Sequence, residues 1–186
     1  VFYHVANGNN GWHSIDATSP TSRTTGSNPA TLGLGNYVRP LYDPVRDCLV
    51  MFTNDTATKA PRVLKLPTTG AAPTLVTVTG DGPGPRPQDN VDGLYGMWGA
   101  AYDKDRDRYL IWYGGTTIYV LTPPAPGLDP TTNTWAWSTL TPASGSVNPG
   151  NPTLRGIYGR FWYSTTMRCC GVVNSTTQQM HVFALE

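Results

Sequence analysis

A tyrosine-led segment occurs three times in this chain and limits what it can fold into. Tyr42-Asp-Pro-Val-Arg-Asp-Cys-Leu-Val-Met-Phe returns as Tyr102-Asp-Lys-Asp-Arg-Asp-Arg-Tyr-Leu-Ile-Trp. It returns again, more loosely, as Tyr163-Ser-Thr-Thr-Met-Arg-Cys-Cys-Gly-Val-Val. The tyrosines stand 60 and then 61 residues apart. A fixed step of that size, with each unit too small to bury its own apolar face, points to a stack of like supersecondary units. No 3.6-residue apolar period survives the prolines, so the units read as β rather than α.

Each unit reads as four strands. The first runs into the tyrosine: Tyr37–Tyr42, Met97–Tyr102 and Gly159–Tyr163. A polar turn follows at Asp43–Asp47 and Asp103–Asp107, where a leading Asp can accept from the backbone two residues on. Second strands are expected at Leu49–Phe52, Tyr109–Tyr113 and Cys170–Val173. Third strands are expected at Val63–Leu66, Ile118–Leu121 and Met180–Leu185. Fourth strands are expected at Thr74–Val78 and Thr134–Leu140. Near the N-terminus, Val1–Ala6 reads as a third strand and Trp12–Ile15 as a fourth. The units therefore span about 1–18, 37–80, 95–142 and 157–186, the last without a fourth strand. Glycine and alanine at Gly99, Ala100 and Ala101 suit a crowded centre where strands converge. Trp112, Tyr113, Trp135 and Trp137 suit wider gaps further out.

The pair Gly114-Gly115 after a second strand, then Tyr119, then Trp135, resembles the Kelch pattern. The run Gly156-Ile-Tyr-Gly-Arg-Phe-Trp-Tyr163, with Val172-Val-Asn174 and His181-Val-Phe-Ala-Leu185, is similar to the last blade of bacterial galactose-oxidase-type propellers. The double glycine occurs once, with Thr53-Asn54 and Asn174-Ser175 in its place elsewhere. The step to Trp135 is lengthened by Pro123–Asp129. The resemblance implies an all-β fold, a β-propeller of four-stranded antiparallel blades, with about three and a fraction blades in this chain. A closed ring needs about 4–8 blades. The ring is therefore expected to be completed by the remaining blades of a longer chain or by a second copy. Val1 is not Met and opens inside a strand-like run, so a processed or truncated chain is expected.

Charge is sparse and balanced, with 13 Lys+Arg against 12 Asp+Glu. Without a basic stripe, neither nucleic acid nor an anionic membrane is an expected partner. No apolar run approaches the length of a membrane span. The Thr-rich, Lys-poor composition reads as a secreted, extracellular protein. Asn54-Asp-Thr56 and Asn174-Ser-Thr176 match the N-glycosylation pattern, which makes Asn54 and Asn174 acceptor candidates.

In propellers, ligands meet the loops that lead into the first strands. Here those are Ser27–Asn36, Gln88–Gly96 and Gly150–Gly159, two of which share the words Asn28-Pro29-Ala-Thr-Leu and Asn151-Pro152-Thr-Leu. They are expected to deliver Arg39, Asp89, Asp92, Tyr95, Trp98, Arg155, Tyr158 and Arg160 near the propeller axis. Aromatic rings beside Arg and Asp can stack on a sugar and bond its hydroxyls. The competing reading is structural: Arg39 and Arg160, in matching places, pair with a neighbouring Asp or a backbone carbonyl. The expected function is an extracellular binding scaffold for carbohydrate or a cell-surface polymer. Two alternatives stand beside it: a polysaccharide-active or copper-radical oxidase-type enzyme with part of its site in missing blades, and a structural module of a phage or surface assembly.

No cofactor is expected. Asp103-Lys-Asp-Arg-Asp107 opens like a calcium loop but lacks the Gly and Glu that complete one, and it reads as a solvated hairpin turn. Asp81-Gly82 with Asp89-Asn-Val-Asp92 is the weaker calcium candidate. His4 and His181 fall in matching strands and, with His13, show no zinc spacing. No Gly-x-Ser-x-Gly elbow is present. Cys48, Cys169 and Cys170 make an odd set. Cys169 and Cys170 are adjacent and face opposite sides of a strand, so buried thiols are expected rather than a vicinal bridge.

Overall fold

The structure is a computed structural model. It describes residues 2–5, 12–16, 19–26, 39–52, 61–65, 74–78, 99–140, 146–152, 157–175 and 177–185. These residues are all-β, with fourteen strands in four antiparallel sheets. Among them no helix is long and apolar enough to cross a membrane.

The first sheet holds β1 (Phe2–Val5), β2 (Trp12–Asp16) and β3 (Ser19–Gly26) in that order. The second holds β4 (Arg39–Asp43), β5 (Cys48–Phe52), β6 (Arg62–Lys65) and β7 (Thr74–Thr77). The third holds β8 (Gly99–Asp103), β9 (Arg108–Trp112), β10 (Ile118–Thr122) and β11 (Ala136–Leu140). The fourth holds β12 (Phe161–Ser164), β13 (Cys169–Val172) and β14 (His181–Ala184). A 3₁₀ turn at Tyr158–Arg160 leads into β12. Every strand pairs with its neighbour in sequence, so each sheet is a simple meander.

The strands read from the repeat match these elements within one or two residues. β3 is the exception. The sequence reading places Val1–Ala6 and Trp12–Ile15 as third and fourth strands of a unit ending near residue 18. The structure adds a further strand before β4. Ser19-Pro-Thr-Ser-Arg-Thr-Thr-Gly26 has no apolar alternation to announce it. Its pairing with β2 shifts register between Ile15 and Asp16. Pro20 and Pro40 both sit on border strands, where a missing N–H costs no ladder bond.

The repeated tyrosines occupy one register position. Tyr42 opposes Leu49, Tyr102 opposes Tyr109 and Tyr163 opposes Cys170. The turns between these strands are built alike. Asp43 Oδ1 accepts from the Val45 and Arg46 N–H groups at 2.9 and 3.0 Å. Asp103 Oδ1 accepts from Asp105 and Arg106 at 3.2 and 3.3 Å. Ser164 Oγ accepts from the Met167 N–H at 3.2 Å. Each turn closes on a residue in the left-handed region: Asp47 (φ 48°), Asp107 (φ 49°) and Arg168 (φ 48°). Asp enters that region readily and Arg does not, so the third turn is the least natural of the set.

The third sheet is covered on both faces. Tyr109 and Ile111 point to a core shared with Val50, Phe52 and Val63 of the second sheet, where Trp135 and Trp137 also lie. Leu110 and Trp112 point the other way, to Phe161, Val172 and Phe183 of the fourth sheet. A strand buried on both faces reads as a continuous apolar run rather than an alternating one, and Tyr109-Leu-Ile-Trp112 is such a run. Trp112 and Trp135 are completely buried.

β8 lies against both β4 and β12, so the first strands share a crowded border. Gly99 shows how crowded: a Cβ there would stand 2.3 Å from Phe161 Cβ and 3.0 Å from Ile157 Cγ2. Phe161 Cβ cannot swing away without moving β12. Gly99→Ala is therefore expected to destabilise the protein by about 1–3 kcal/mol through overpacking. Gly159→Ala, with no heavy atom within 4 Å of the added carbon, is expected to leave the denaturation midpoint almost unchanged. Urea titrations of the two variants check the contrast.

Candidate functional site

The two ends of the sheets differ in chemistry. The tight turns Pro44–Asp47, Lys104–Asp107 and Thr165–Arg168 lie at one end, with the β10–β11 connection. The loops that lead into first strands lie at the other.

At the turn end, Arg46 joins the second sheet to the third. Its Nη1 donates to Asp43 Oδ2 at 3.0 Å and to Asp107 Oδ1 at 2.8 Å. Its Nη2 donates to Asp107 Oδ2 at 2.6 Å, and Nε donates to the Pro124 carbonyl at 2.8 Å. Nη2 also reaches that carbonyl. The side chains of Arg46 and Asp43 are 1% and 0% exposed, so the pair is fully desolvated. Tyr109 donates its hydroxyl to Asp43 Oδ2 at 2.9 Å, and Tyr102 donates to Asp107 Oδ1 at 2.6 Å. Tyr109 packs beside Phe52, Tyr102 and Trp135, with ring centres 5.0–6.0 Å away.

The cluster fixes its own protonation. Hydrogen bonds from Arg46, with a further one from Tyr102, hold the Asp107 carboxyl below its ordinary range. Burial, and then the Asp43 charge, push the Tyr109 phenol far above its ordinary value. Every strong donor and acceptor here is spent inside the protein, which makes the cluster a clamp between sheets. The sequence reading takes Asp103–Asp107 as a solvated hairpin. The hairpin is present, but Asp103 is completely buried. Asp107 faces Arg46 and Tyr102.

Burial pushes the Cys48 and Cys170 thiols up to about 12. All three cysteines are free and buried, in line with inert thiols. Among the described residues, no group of three or more His, Cys, Asp or Glu is placed to hold a metal ion. His4 opposes His13 across β1 and β2, while His181 opposes Val172 across β14 and β13.

At the loop end, residues 146–152 are fastened down before they lead towards β12. Asn174 Nδ2 donates to the carbonyls of Pro149 and Asn151 at 2.8 and 2.7 Å. The Gly115 N–H donates to the Gly150 carbonyl at 2.9 Å. The double glycine makes this approach possible. Gly114 has φ 112°, and a Cβ on it would meet Pro152 Cδ at 3.0 Å. Asn174 is buried with its amide nitrogen in two hydrogen bonds. A sugar on Nδ2 would replace one of the two hydrogens that make these anchors. Sequence spacing alone could not reveal this, since the triplet pattern carries no information on burial.

Of the eight ligand-binding candidates, Arg160 is the one described with its side chain. It is half-buried, and Nε donates to the Ile157 carbonyl at 3.3 Å within its own 3₁₀ turn. That geometry fits the structural reading of this arginine. Arg39 opens β4 and Tyr158 opens the 3₁₀ turn, so both backbones stand at the loop end. Their side chains lie outside what is described. Asp89, Asp92, Tyr95, Trp98, Arg155 and the glycan candidate Asn54 lie outside the described residues, as do Asp81 and Gly82. Sequence reasoning missed the clamp. Its signal was present in the repeated Asp-x-x-Arg-Asp of the first two turns, read as turn chemistry alone.

Compared with known proteins, the chain matches no family model, no curated protein and no solved structure.

Truncating one partner of a buried charge pair strands the other, at a cost of about 3–5 kcal/mol. Arg46→Ala is expected to lose stability on that scale, and Arg46→Lys to recover little, since lysine lacks the planar fork. The lowered Asp107 pKa contributes stability that is complete above the ordinary carboxylate value near pH ~4 and lost as pH falls through the folded value. The stability gap between wild type and Asp107→Asn should therefore be constant near neutral pH and close on acidification. Denaturant titrations across pH measure it.

Proposed function

We propose that this chain is part of an extracellular β-propeller of the Kelch type that binds carbohydrate at the loop end of its sheets. Three features support the architectural part. The units repeat at a near-constant step, each is an antiparallel meander, and β4, β8 and β12 gather at one border. Remaining blades of a longer chain, or a second copy, complete the ring in this reading.

One observation carries the binding part: the fastening of residues 146–152 by Asn174 and the Gly114–Gly115 turn. A loop whose carbonyls accept hydrogen bonds from two neighbouring connections loses little entropy on meeting a ligand, which is what a preformed site needs. This loop runs towards Arg155 and Tyr158, and the loop before β8 carries Tyr95 and Trp98. Aromatic faces supply apolar area for a sugar ring, with arginine and aspartate to bond its hydroxyls.

Glycan-array binding followed by titration tests the reading. Trp98→Ala and Tyr158→Ala are each expected to weaken binding by about 2 kcal/mol, the scale of an aromatic anchor, without lowering the melting temperature. Absence of glycan binding by the wild-type chain, or binding untouched by both variants, counts against it. Native mass measurement addresses the ring separately. A polypeptide well above 20.1 kDa, or a closed dimer, is expected.

A further inference from the structure

The junction between the third and fourth sheets repeats the Arg46 junction with one change of sign. In the first junction, the fourth residue of one turn, Arg46, meets the last residue of the next turn, Asp107. One repeat later the corresponding residues are Arg106 and Arg168. The backbone is conserved between the two cases, since Asp107 and Arg168 share the same left-handed conformation. An arginine therefore stands where the clamp's carboxylate belongs.

The surrounding groups have rearranged around this missing carboxylate. Tyr102 donates to the Asp that ends its own turn, whereas Tyr163 has no such Asp and donates to Asp105 of the neighbouring turn at 2.7 Å. Cys170 takes the place of Tyr109 beside the buried Asp. Arg108 fills that space instead, with Nε donating to Asp103 Oδ2 at 2.9 Å. Arg106 Nη1 stays 3.7 Å from the same oxygen, beyond hydrogen-bond range.

Charge at this junction is left over. Asp103 is taken by Arg108, and Asp105 by Tyr163 and Lys104. The charge of Arg168 lies close enough to Asp105 to be felt there. Arg108 is 14% exposed, yet its Nη2 is buried with no hydrogen-bond partner. A buried guanidinium nitrogen is a costly group to leave unpaired. Lys104, Arg106 and Arg108 thus pair with these two carboxylates, and Arg168 adds a fourth cation whose charge reaches Asp105.

We propose that this junction is a binding site for a carboxylate supplied from outside, held between Arg106 and Arg168. The ligand class follows from the sister junction, where the same position of the turn carries a carboxylate that takes two parallel bonds from one guanidinium. The bearer is an acidic sugar or an acidic side chain. The site lies at the turn end, away from the loop-end glycan site, and stands or falls independently of it.

Arginine Nε–Hε NMR resonances of the intact chain report on the site during titration at low ionic strength with acetate, glucuronate and glucose. Saturable shifts at Arg106 or Arg168 with acetate and glucuronate, and none with glucose, are expected. Glucuronate binding tighter than acetate assigns the bearer as a sugar, while equal affinity assigns the carboxylate alone. Arg168→Asp rebuilds the internal clamp and suits the left-handed backbone. It is expected to fold and to weaken carboxylate binding by about tenfold or more, the scale of a lost charged hydrogen bond. Arg168→Gly removes the charge without supplying a carboxylate and is expected to weaken binding likewise. Shifts that never saturate, or equal binding by wild type and both variants, overturn the proposal.

Discussion

Arg46, itself buried beside Asp43, reaches out of one turn and closes on a partly exposed aspartate of the next sheet's turn. Taking two charges out of water costs several kcal/mol for each ion, and mutual attraction repays it only when the remaining donors and acceptors are satisfied. Here they are: Asp43, Asp107 and the Pro124 carbonyl take all three guanidinium nitrogens. The net gain over a well-packed apolar substitute is small by that reckoning. The geometric consequence is larger. A planar fork reading a carboxylate on another sheet admits one offset between the sheets, and apolar contacts between Val50, Ile111 and Trp135 do not set that offset alone. The core supplies the drive to stack, while the clamp specifies how the stack is aligned.

Alignment matters because β9 of the third sheet has no free face. Tyr109 and Ile111 must meet the second sheet while Leu110 and Trp112 meet the fourth. A one-residue slip of β9 would exchange the two sets. It would also carry the Tyr109 hydroxyl away from Asp43, leaving a buried carboxylate short of a donor. Hydrophobic and polar requirements therefore agree on a single register, which is the consistency expected of a well-specified fold.

Much of this was legible in the residues. The repeat located strands β4 to β14 because each carries apolar, aromatic or β-branched residues between turn formers. Its leading Asp announced a turn in which the side chain accepts from the backbone, as Asp43 and Asp103 do. β3 was not legible, since Ser19–Gly26 is held by backbone pairing to β2 with no apolar code of its own. The role of Asn174 was not legible either. Its burial comes from the approach of residues 149–151, far away in sequence. Arg46 is the intermediate case. Its partner Asp107 is 61 residues away, and a local reading of the turn assigns both residues to solvent. Only the juxtaposition of two turns converts them into a pair.

The repeat is most informative where it is broken. Tyr42 and Tyr102 each bond the Asp five residues on, so each of these tyrosines is satisfied within its own turn. The third turn ends in Arg168, so Tyr163 must cross to Asp105. That exchange replaces an intra-turn bond by one between sheets and leaves the end of the turn without its carboxylate. The same substitution that weakens the turn locally, by placing a long side chain in the left-handed region, thus adds a link between the third and fourth sheets. A residue selected only for turn stability would be Asp, Asn or Gly. Arg168 satisfies no such demand, and its charge falls beside three other cations. The Arg46–Asp107 pair closes the first junction, and at the second Arg168 stands where that carboxylate would be.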